Sequence, residues 1–212
     1  QADQAMYQAK LAGKNRYHLF DVVQDTAVKT QRQSLEHIRG ALERQEFVLY
    51  YQPKVNMRTG AVIGAEALIR WQHPERGLLP PAVFLPTIEN HPISVAVGEW
   101  VIAQALQQML RWKAQGLEVV VSVNIAARQL QQNDFVARLT QLLALYPAVA
   151  PQCLELEILE TSALEDMAQV FQAIQACQAL GVRFALDDFG TGYSSLTHLR
   201  HLPAEVIKID QS

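Results

Sequence analysis

The stretch Val182-Arg183-Phe184-Ala185-Leu186-Asp187-Asp188-Phe189-Gly190-Thr191-Gly192-Tyr193-Ser194-Ser195 decides how the chain folds. Val182 to Leu186 is a largely apolar run of strand length behind Gly181, and it ends in two adjacent carboxylates and a glycine-punctuated loop. Two ionised aspartates side by side repel each other, and at the end of a buried strand they are poorly solvated. Such a pair is tolerable where it is exposed, where it caps the following helix, or where it holds a cation. The choice rests on whether other strands aim oxygen ligands at the same place.

Working outward, strand-like segments recur at Phe47 to Val55, Ala61 to Arg70, Glu118 to Asn124, Cys153 to Ile158 and Glu205 to Ile209. Asn56-Met57-Arg58-Thr59-Gly60 is a turn, so the first two form a hairpin. Gln72 to Pro81 reads as a proline-rich loop. Helical patterns cover about 81–90, then 95–115 up to Gly116, 126–146 with a break near Asn133, and 163–180 up to Gly181. A short helix is expected at Ser195 to Leu199. Strands alternating with helices argue for a parallel sheet covered by helices. No dinucleotide glycine fingerprint follows the early strands.

Side chains alternate faces along a strand, so each strand can be asked which residues share a side. Gly64, Glu66, Leu68 and Arg70 oppose Ile63, Ala65, Ala67 and Ile69. Ser122 and Asn124 oppose Val119, Val121 and Val123, and Glu155 and Glu157 oppose Leu154, Leu156 and Ile158. Asp187 opposes Phe184 and Leu186, and Lys208 opposes Ile207 and Ile209. Gln52 and Lys54 lie on the face of Tyr50. In a closed (β/α) barrel the inner faces converge and active sites sit at the C-terminal mouth. Glu66, Asn124, Glu157 and Asp187 then meet there, with Asp188 beside them and Lys208 close by. An open doubly wound sheet scatters them along an edge instead.

Glu66, Glu157, Asp187 and Asp188 against Lys208 and Arg70 leave a deficit of positive charge in a partly dry site, which favours bound divalent cations. All-oxygen ligands point to Mg²⁺ or Mn²⁺, are compatible with Ca²⁺, and argue against a structural zinc. Each residue alone has an ordinary reading. A strand-end glutamate is commonly solvated or salt-bridged, Asn124 bonds its local backbone, and Lys208 pairs with Asp210 or Asp187. The shared placement on several strands carries the argument. His198 and His201 read as the end of a short capped helix, and the helix with Trp100, Leu106, Leu110 and Trp112 as core or interface.

Composition narrows the classes further. Half of the 212 residues are hydrophobic and 18% are charged, with a net charge of −3, ordinary for a globular α/β protein. A pI near 6.1 gives no support for duplex nucleic-acid binding. No apolar run approaches a membrane span, and no signal-peptide pattern appears. Cys153 and Cys177 have no metal-ligand spacing and read as reduced thiols of a cytosolic domain. The chain opens on Gln1 and closes on Ser212 just past a strand, which reads as a piece of a longer protein.

Several ordered stretches together resemble one family. Glu66-Ala67-Leu68 with Arg70-Trp71 is similar to the signature of EAL domains, the cyclic di-GMP phosphodiesterases. Tyr51-Gln52-Pro53-Lys54, Ser122-Val123-Asn124, Glu157-Ile158-Leu159-Glu160, the Asp187 to Ser195 loop and Lys208-Ile209-Asp210 match in the family's order. Upstream, Ala2-Asp3-Gln4-Ala5-Met6-Tyr7-Gln8-Ala9-Lys10 with Gly13-Lys14-Asn15-Arg16 resembles the C-terminal end of GGDEF diguanylate cyclase domains, without their active site. The expected organisation is a GGDEF remnant at 1–24 (helix 2–12, strand 16–20), a connecting helix at 25–45, and an EAL domain at 46–212. That domain is expected to be incomplete at its C-terminus, because the family continues for two more strands.

The resemblance implies an α/β fold, a TIM-like (β/α) barrel whose first strand is antiparallel. It implies hydrolysis of cyclic di-GMP to linear pGpG in bacterial second-messenger signalling. It implies metal ligation by Glu66, Asn124, Glu157 and Asp187, with Asp188 serving the second of two Mg²⁺ or Mn²⁺ ions and Ca²⁺ acting as an inhibitor. Lys208 is expected to hold and polarise the attacking water, and Gln52, Leu68 and Arg70 to contact the dinucleotide. The loop Phe189 to Ser195 is expected to couple metal binding to homodimer formation. A GGDEF domain upstream in the same chain completes the implications, and the domain itself is expected to be cytoplasmic in a parent open to membrane anchoring. The rival readings are a catalytically silent cyclic di-GMP receptor and a protein-interaction module that binds no nucleotide.

Overall fold

Gln45 stands at φ +57°, a left-handed turn that ends a long helix and sends the chain into its first strand. That helix, α1 (Val22–Glu43), is where description begins, because the computed structural model describes residues 22–159, 167–189 and 205–209. The chain divides into two compact units, 1–40 and 41–212. Of the first, the described part is the helical stretch up to Gly40, with Arg32 Nε donating to Glu36 Oε1 at 3.2 Å on its surface. The helix starts three residues before the expected 25. The helix expected at 2–12 and the strand at 16–20 lie outside the described residues, as do Glu160, the loop from Gly190 to Ser195, His198, His201 and Asp210.

The second unit is a sheet with helices. Its strands are β1 (Phe47–Val55), β2 (Val62–His73), β3 (Gly77–Leu79), β4 (Val120–Asn124), β5 (Leu154–Leu159), β6 (Arg183–Phe189) and β7 (Val206–Ile209). The sheet order is β1-β2-β4-β5-β6-β7, with β3 folded back on β2. β1 pairs antiparallel with β2, and every later pair along the main path is parallel. This is the strand order of the expected barrel with its antiparallel first strand. Among the described residues β1 and β7 are the two edges, and the sheet is not closed.

Helices α2 (Leu85–Ile88), α3 (Ile93–Ala114), α4 (Ala127–Leu130), α5 (Phe135–Leu145) and α6 (Met167–Ala179) fill the connections. Parallel neighbours need such crossovers, because a tight turn reverses the chain. The break expected near Asn133 falls between α4 and α5. Most of the apolar strand faces are buried as the alternation predicts: Ala65, Ala67 and Ile69 on β2, Val121 and Val123 on β4, Leu156 and Ile158 on β5. Ile63 near the start of β2 and Ile207 and Ile209 on the edge strand β7 are exposed instead. Helix α3 buries Val101, Ile102, Ala105 and Leu106. Near the sheet edge, Phe47, Trp71, Phe84 and Trp100 gather with ring centroids 5.4–5.9 Å apart, which joins the hairpin to α3. Gly64 is required where β2 approaches β4, since a Cβ there would stand 2.8 Å from Val120 O. Among the described residues no helix is long and apolar enough to cross a membrane.

Three expectations need correction. Gln72 to Pro81 is not all loop. β2 runs on to His73 and β3 pairs back with Trp71 opposite Leu79, because both side chains belong in the core and Gly77 (φ +72°) makes the tight return. The helix expected at 81–90 is a 3₁₀ turn (Pro81–Val83) followed by the single turn α2, since Pro81 and Pro86 each remove a backbone donor. The strand expected to stop at Leu186 extends through both aspartates to Phe189. Backbone pairing with β7 resumes at Phe189 opposite Ile209, after an irregularity that begins at Leu186.

Candidate active site

Ladder register brings the polar residues together. Gln52 stands opposite Glu66, Ser122 beside Glu155, Asn124 beside Glu157, and Ala185 beside Val206, two residues before Asp187 and Lys208 respectively. Residues paired across a ladder point to the same side of the sheet. The alternation therefore converts six separate strand segments into one polar surface.

At its centre is Lys208 on β7. Its Nζ donates to Asp187 Oδ2 at 2.8 Å, to Glu157 Oε2 at 2.7 Å and to Glu66 Oε2 at 3.3 Å. The other Glu66 oxygen, Oε1, accepts from Asn124 Nδ2 at 2.9 Å. Glu66, Glu157 and Asp187 each offer a carboxylate oxygen, and these atoms lie within 4.8 Å of one another. Three hard oxygen donors at that spacing, from three strands and without nitrogen or sulfur among them, fit a divalent cation of the Mg²⁺, Mn²⁺ or Ca²⁺ type. The Glu157 side chain has no exposure at all, and those of Glu66 and Asp187 are 19% and 15% exposed. The cluster therefore opens to solvent on one side.

Burial alone would pull the Lys208 ammonium below its ordinary range. Its hydrogen bonds to Asp187 and Glu157, and the nearby charges of Glu157 and Glu66, more than offset this, so its pKa stands above the usual lysine value. Lys208 is a fixed cation in this arrangement.

A second lysine was not singled out in the sequence. Lys54 on β1 donates from Nζ to Glu157 Oε1 at 2.7 Å, to Glu155 Oε1 at 3.0 Å and to Ser122 Oγ. Ser122 Oγ in turn donates to Glu155 Oε1 at 2.6 Å. Burial opposes the charge of Lys54, but Glu157 and Glu155 outweigh it and raise its pKa. Burial likewise pushes Glu155 up, while the hydrogen bonds from Ser122 and Lys54 bring it below the ordinary carboxylate value. The signal for this layer lay in the same-face rule, which had already put Lys54 with Gln52, Ser122 with Asn124 and Glu155 with Glu157. Nothing in the spacing showed that a lysine on the first strand reaches the fifth.

The remaining candidates divide. Gln52, Leu68 and Arg70 share the hairpin face with Glu66, Gln52 being exposed and the other two half-buried. The Arg70 guanidinium donates to Ile69 O at 2.9 Å and lies 5.8 Å from the Tyr50 ring centroid. Tyr50 is half exposed, so the pair makes a flat cationic and aromatic shelf beside the carboxylates. Asp188 is outside the group of three. It stands at φ +55°, and its backbone N–H donates to Asp187 Oδ1 at 3.0 Å.

Comparison with known proteins bears on the whole arrangement. Residues 35–212 match the family model described as "EAL domain". The chain is 41% identical, over 211 residues and 99% of its length, to the bifunctional diguanylate cyclase/cyclic di-GMP phosphodiesterase MucR of Pseudomonas aeruginosa. It is 39% identical, again over 211 residues and 99% of its length, to the cyclic di-GMP phosphodiesterase PdeR of Escherichia coli. It covers only 31% and 32% of those relatives, so it spans about a third of their length. A solved structure described as the MucR phosphodiesterase in complex with cyclic di-GMP superposes with a TM-score of 0.78 at 41% identity, covering 84% of this chain and 72% of that one.

Proposed function

This chain belongs to the EAL domain family, and from that membership we propose that it hydrolyses one phosphodiester bond of cyclic di-GMP to give linear pGpG. The observation that carries the proposal is the meeting of Glu66, Glu157 and Asp187 oxygens within 4.8 Å of one another, beside the Lys208 ammonium. The sequence likeness to two relatives named as cyclic di-GMP phosphodiesterases supports it.

In this reading Glu66, Asn124, Glu157 and Asp187 hold a first Mg²⁺ or Mn²⁺ and Asp188 serves a second, while Ca²⁺ binds without supporting turnover. Such ions, when bound, supply Lewis acidity at a phosphoryl oxygen and lower the pKa of water. The chain's own residues do the rest. Lys208, held charged by three carboxylates, orients the attacking water and favours its deprotonated form. The Glu157 side chain is wholly buried, so the local dielectric on that side of the cluster is low, which strengthens both effects. Gln52, Leu68 and Arg70 form one side of the dinucleotide site, where Arg70 and the exposed Tyr50 ring meet a guanine or a phosphate.

Residues 1–24 belong, on this proposal, to a preceding GGDEF domain and 25–45 to a connecting helix, the likeness to both relatives extending over almost the whole chain. The domain acts in the cytoplasm as a homodimer, whether or not the parent protein is anchored to a membrane. The test is turnover of cyclic di-GMP with Mn²⁺ or Mg²⁺, followed by chromatography of the product. The expected result is pGpG, abolished in Glu66→Ala and absent with Ca²⁺. Binding of cyclic di-GMP without any turnover by the intact protein would replace the hydrolase reading with that of a receptor.

A further inference from the structure

Two residues toward the start of β2 from Glu66 stands Gly64, and opposite it across the ladder stands Lys54. The glycine has no side chain to compete for the interior, and the lysine crosses it to Ser122 on β4 and to Glu155 and Glu157 on β5. Apart from Glu157, this layer holds no group to which the proposed chemistry gives a role. Ser122 and Glu157 are wholly buried and Glu155 nearly so. A buried cation and carboxylate set of this kind is costly to assemble and stands only where every member is satisfied.

The geometry at Glu157 gives the layer a task. One oxygen, Oε1, accepts from Lys54, and the other, Oε2, accepts from Lys208 on the side of Glu66 and Asp187. The terminal torsion of a glutamate is broad, so a carboxylate held at one oxygen only is free to rotate. Held from both sides, it is fixed in plane and direction. The charges also sort into layers. Lys54 is balanced by Glu155, with the Ser122 hydroxyl bridging them, so it fixes Glu157 with little loss of the negative charge of the three outer carboxylates.

We propose that Lys54 is a positioning residue which, braced by Ser122 and Glu155, holds Oε1 of Glu157 so that Oε2 alone is presented to the divalent cation. The proposal rests on the metal-dependent reading above and names a support that reading does not require. Groups that orient metal ligands from behind typically change metal affinity by about 10- to 100-fold when removed.

Charge alone must be separated from positioning, because deleting a lysine near a cation site tends to tighten metal binding. The decisive variant is therefore the charge-balanced double substitution Lys54→Met/Glu155→Gln, which removes one positive and one negative charge together. Mn²⁺ binding is measured by calorimetry on the purified protein without nucleotide, alongside thermal unfolding by circular dichroism. The expected result is Mn²⁺ affinity weakened by about tenfold or more, with cooperative unfolding retained and turnover recovering toward wild type as Mn²⁺ is raised. Should the double variant not unfold cooperatively, Ser122→Ala removes only the brace and is expected to weaken Mn²⁺ binding by a smaller but measurable factor.

Unchanged or tighter Mn²⁺ binding in the folded double variant overturns the proposal and leaves the hydrolase reading standing. Unchanged binding in Ser122→Ala, where that variant has to serve, does the same. Wild-type protein that binds Mn²⁺, loses it in the double variant, yet turns over no cyclic di-GMP sustains the proposal and overturns the hydrolase reading. Wild-type protein that binds no Mn²⁺ overturns both.

Discussion

Lys208 on β7 and Glu157 on β5 meet in a 2.7 Å ion pair although the whole of β6 lies between their strands. The contact is possible because both side chains point to the same side of a twisted sheet, and the residues of β6 between them present Ala185 and then Asp187 to that side. The ammonium also reaches Asp187 and Glu66. It therefore acts as an internal counter-ion for the carboxylates that could hold a metal.

From this follows the behaviour of Lys208→Met. Two unit charges about 4 Å apart near a protein surface interact by about 4 kcal/mol, so removing the ammonium relieves a strong competitor for the same oxygens. Mn²⁺ affinity is expected to tighten by at least tenfold in calorimetry, to order of magnitude. Turnover of cyclic di-GMP is expected to drop by about 100-fold or more. A variant that bound Mn²⁺ more weakly would contradict the counter-ion account.

Asp188 gives a prediction about the backbone. A left-handed conformation costs an L-residue roughly 1–2 kcal/mol, with aspartate, asparagine and glycine the least penalised. With φ at +55°, Asp188→Gly and Asp188→Asn should melt within a few degrees of wild type. Asp188→Val should lose about 1–2 kcal/mol or more in urea titration. Because Asp187 belongs to the group of three and Asp188 does not, Asp187→Asn should weaken the first Mn²⁺ binding step more than Asp188→Asn does. Equal losses would mean that both carboxylates share one ion.

The helix layer supplies a steric test. A Cβ added at Gly98 on α3 would stand 1.9 Å from Gln129 Oε1 on α4. Gln129 is 1% exposed and has little freedom to swing away. Gly98→Ala is expected to destabilise the fold by about 1–3 kcal/mol, the usual penalty for overpacking. Gln129→Ala in the same chain should recover much of that loss. Unfolding in guanidinium of the two single variants and the double variant gives the coupling directly.

Cys177 contributes to the alkaline limit, in the same direction as the half-buried Cys153 thiol and the Tyr51 hydroxyl, which burial also pushes up. Burial pushes its thiol from an ordinary 9.0 up to about 12. Above pH 9 the unfolded chain releases this proton while the folded chain keeps it. The folded state then binds more protons, and stability falls as pH rises. The raised pKa values of Lys54 and Lys208 act in the same direction from 10.5 upward. Urea titrations between pH 8 and 11 should show a steady fall, shallower in Cys177→Ala by about one proton's worth of slope. A slope identical to wild type would mean that the thiol is accessible in the folded protein.

Much of the fold was legible in the residues. Period-two alternation marked β1, β2, β4, β5, β6 and β7 to within about three residues at each end, and the turn at Asn56 to Gly60 marked the hairpin. β3 escaped because three residues carry no periodicity. Its pairing follows from the burial of Trp71 and Leu79, which Pro74 and Pro80 concealed. The continuation of β6 through Asp187 and Asp188 escaped for a related reason. Adjacent carboxylates look like the end of a strand, yet pairing with β5 carries Asp187 opposite Leu159.

The site divides in the same way. The alternation of Glu66, Asn124, Glu157, Asp187 and Lys208 against apolar neighbours determined, from the sequence alone, which side chains share a face, because the side-chain period of a strand is strict. Which atoms meet was decided only by the tertiary structure. Sheet order, register and twist set the distances across three strands. They give Lys208 to the oxygens of three carboxylates, and they carry Lys54 from the first strand to the far oxygen of Glu157. A ladder one residue out of step would turn each of these groups to the other face of the sheet, and the linear sequence has no way of recording that alignment.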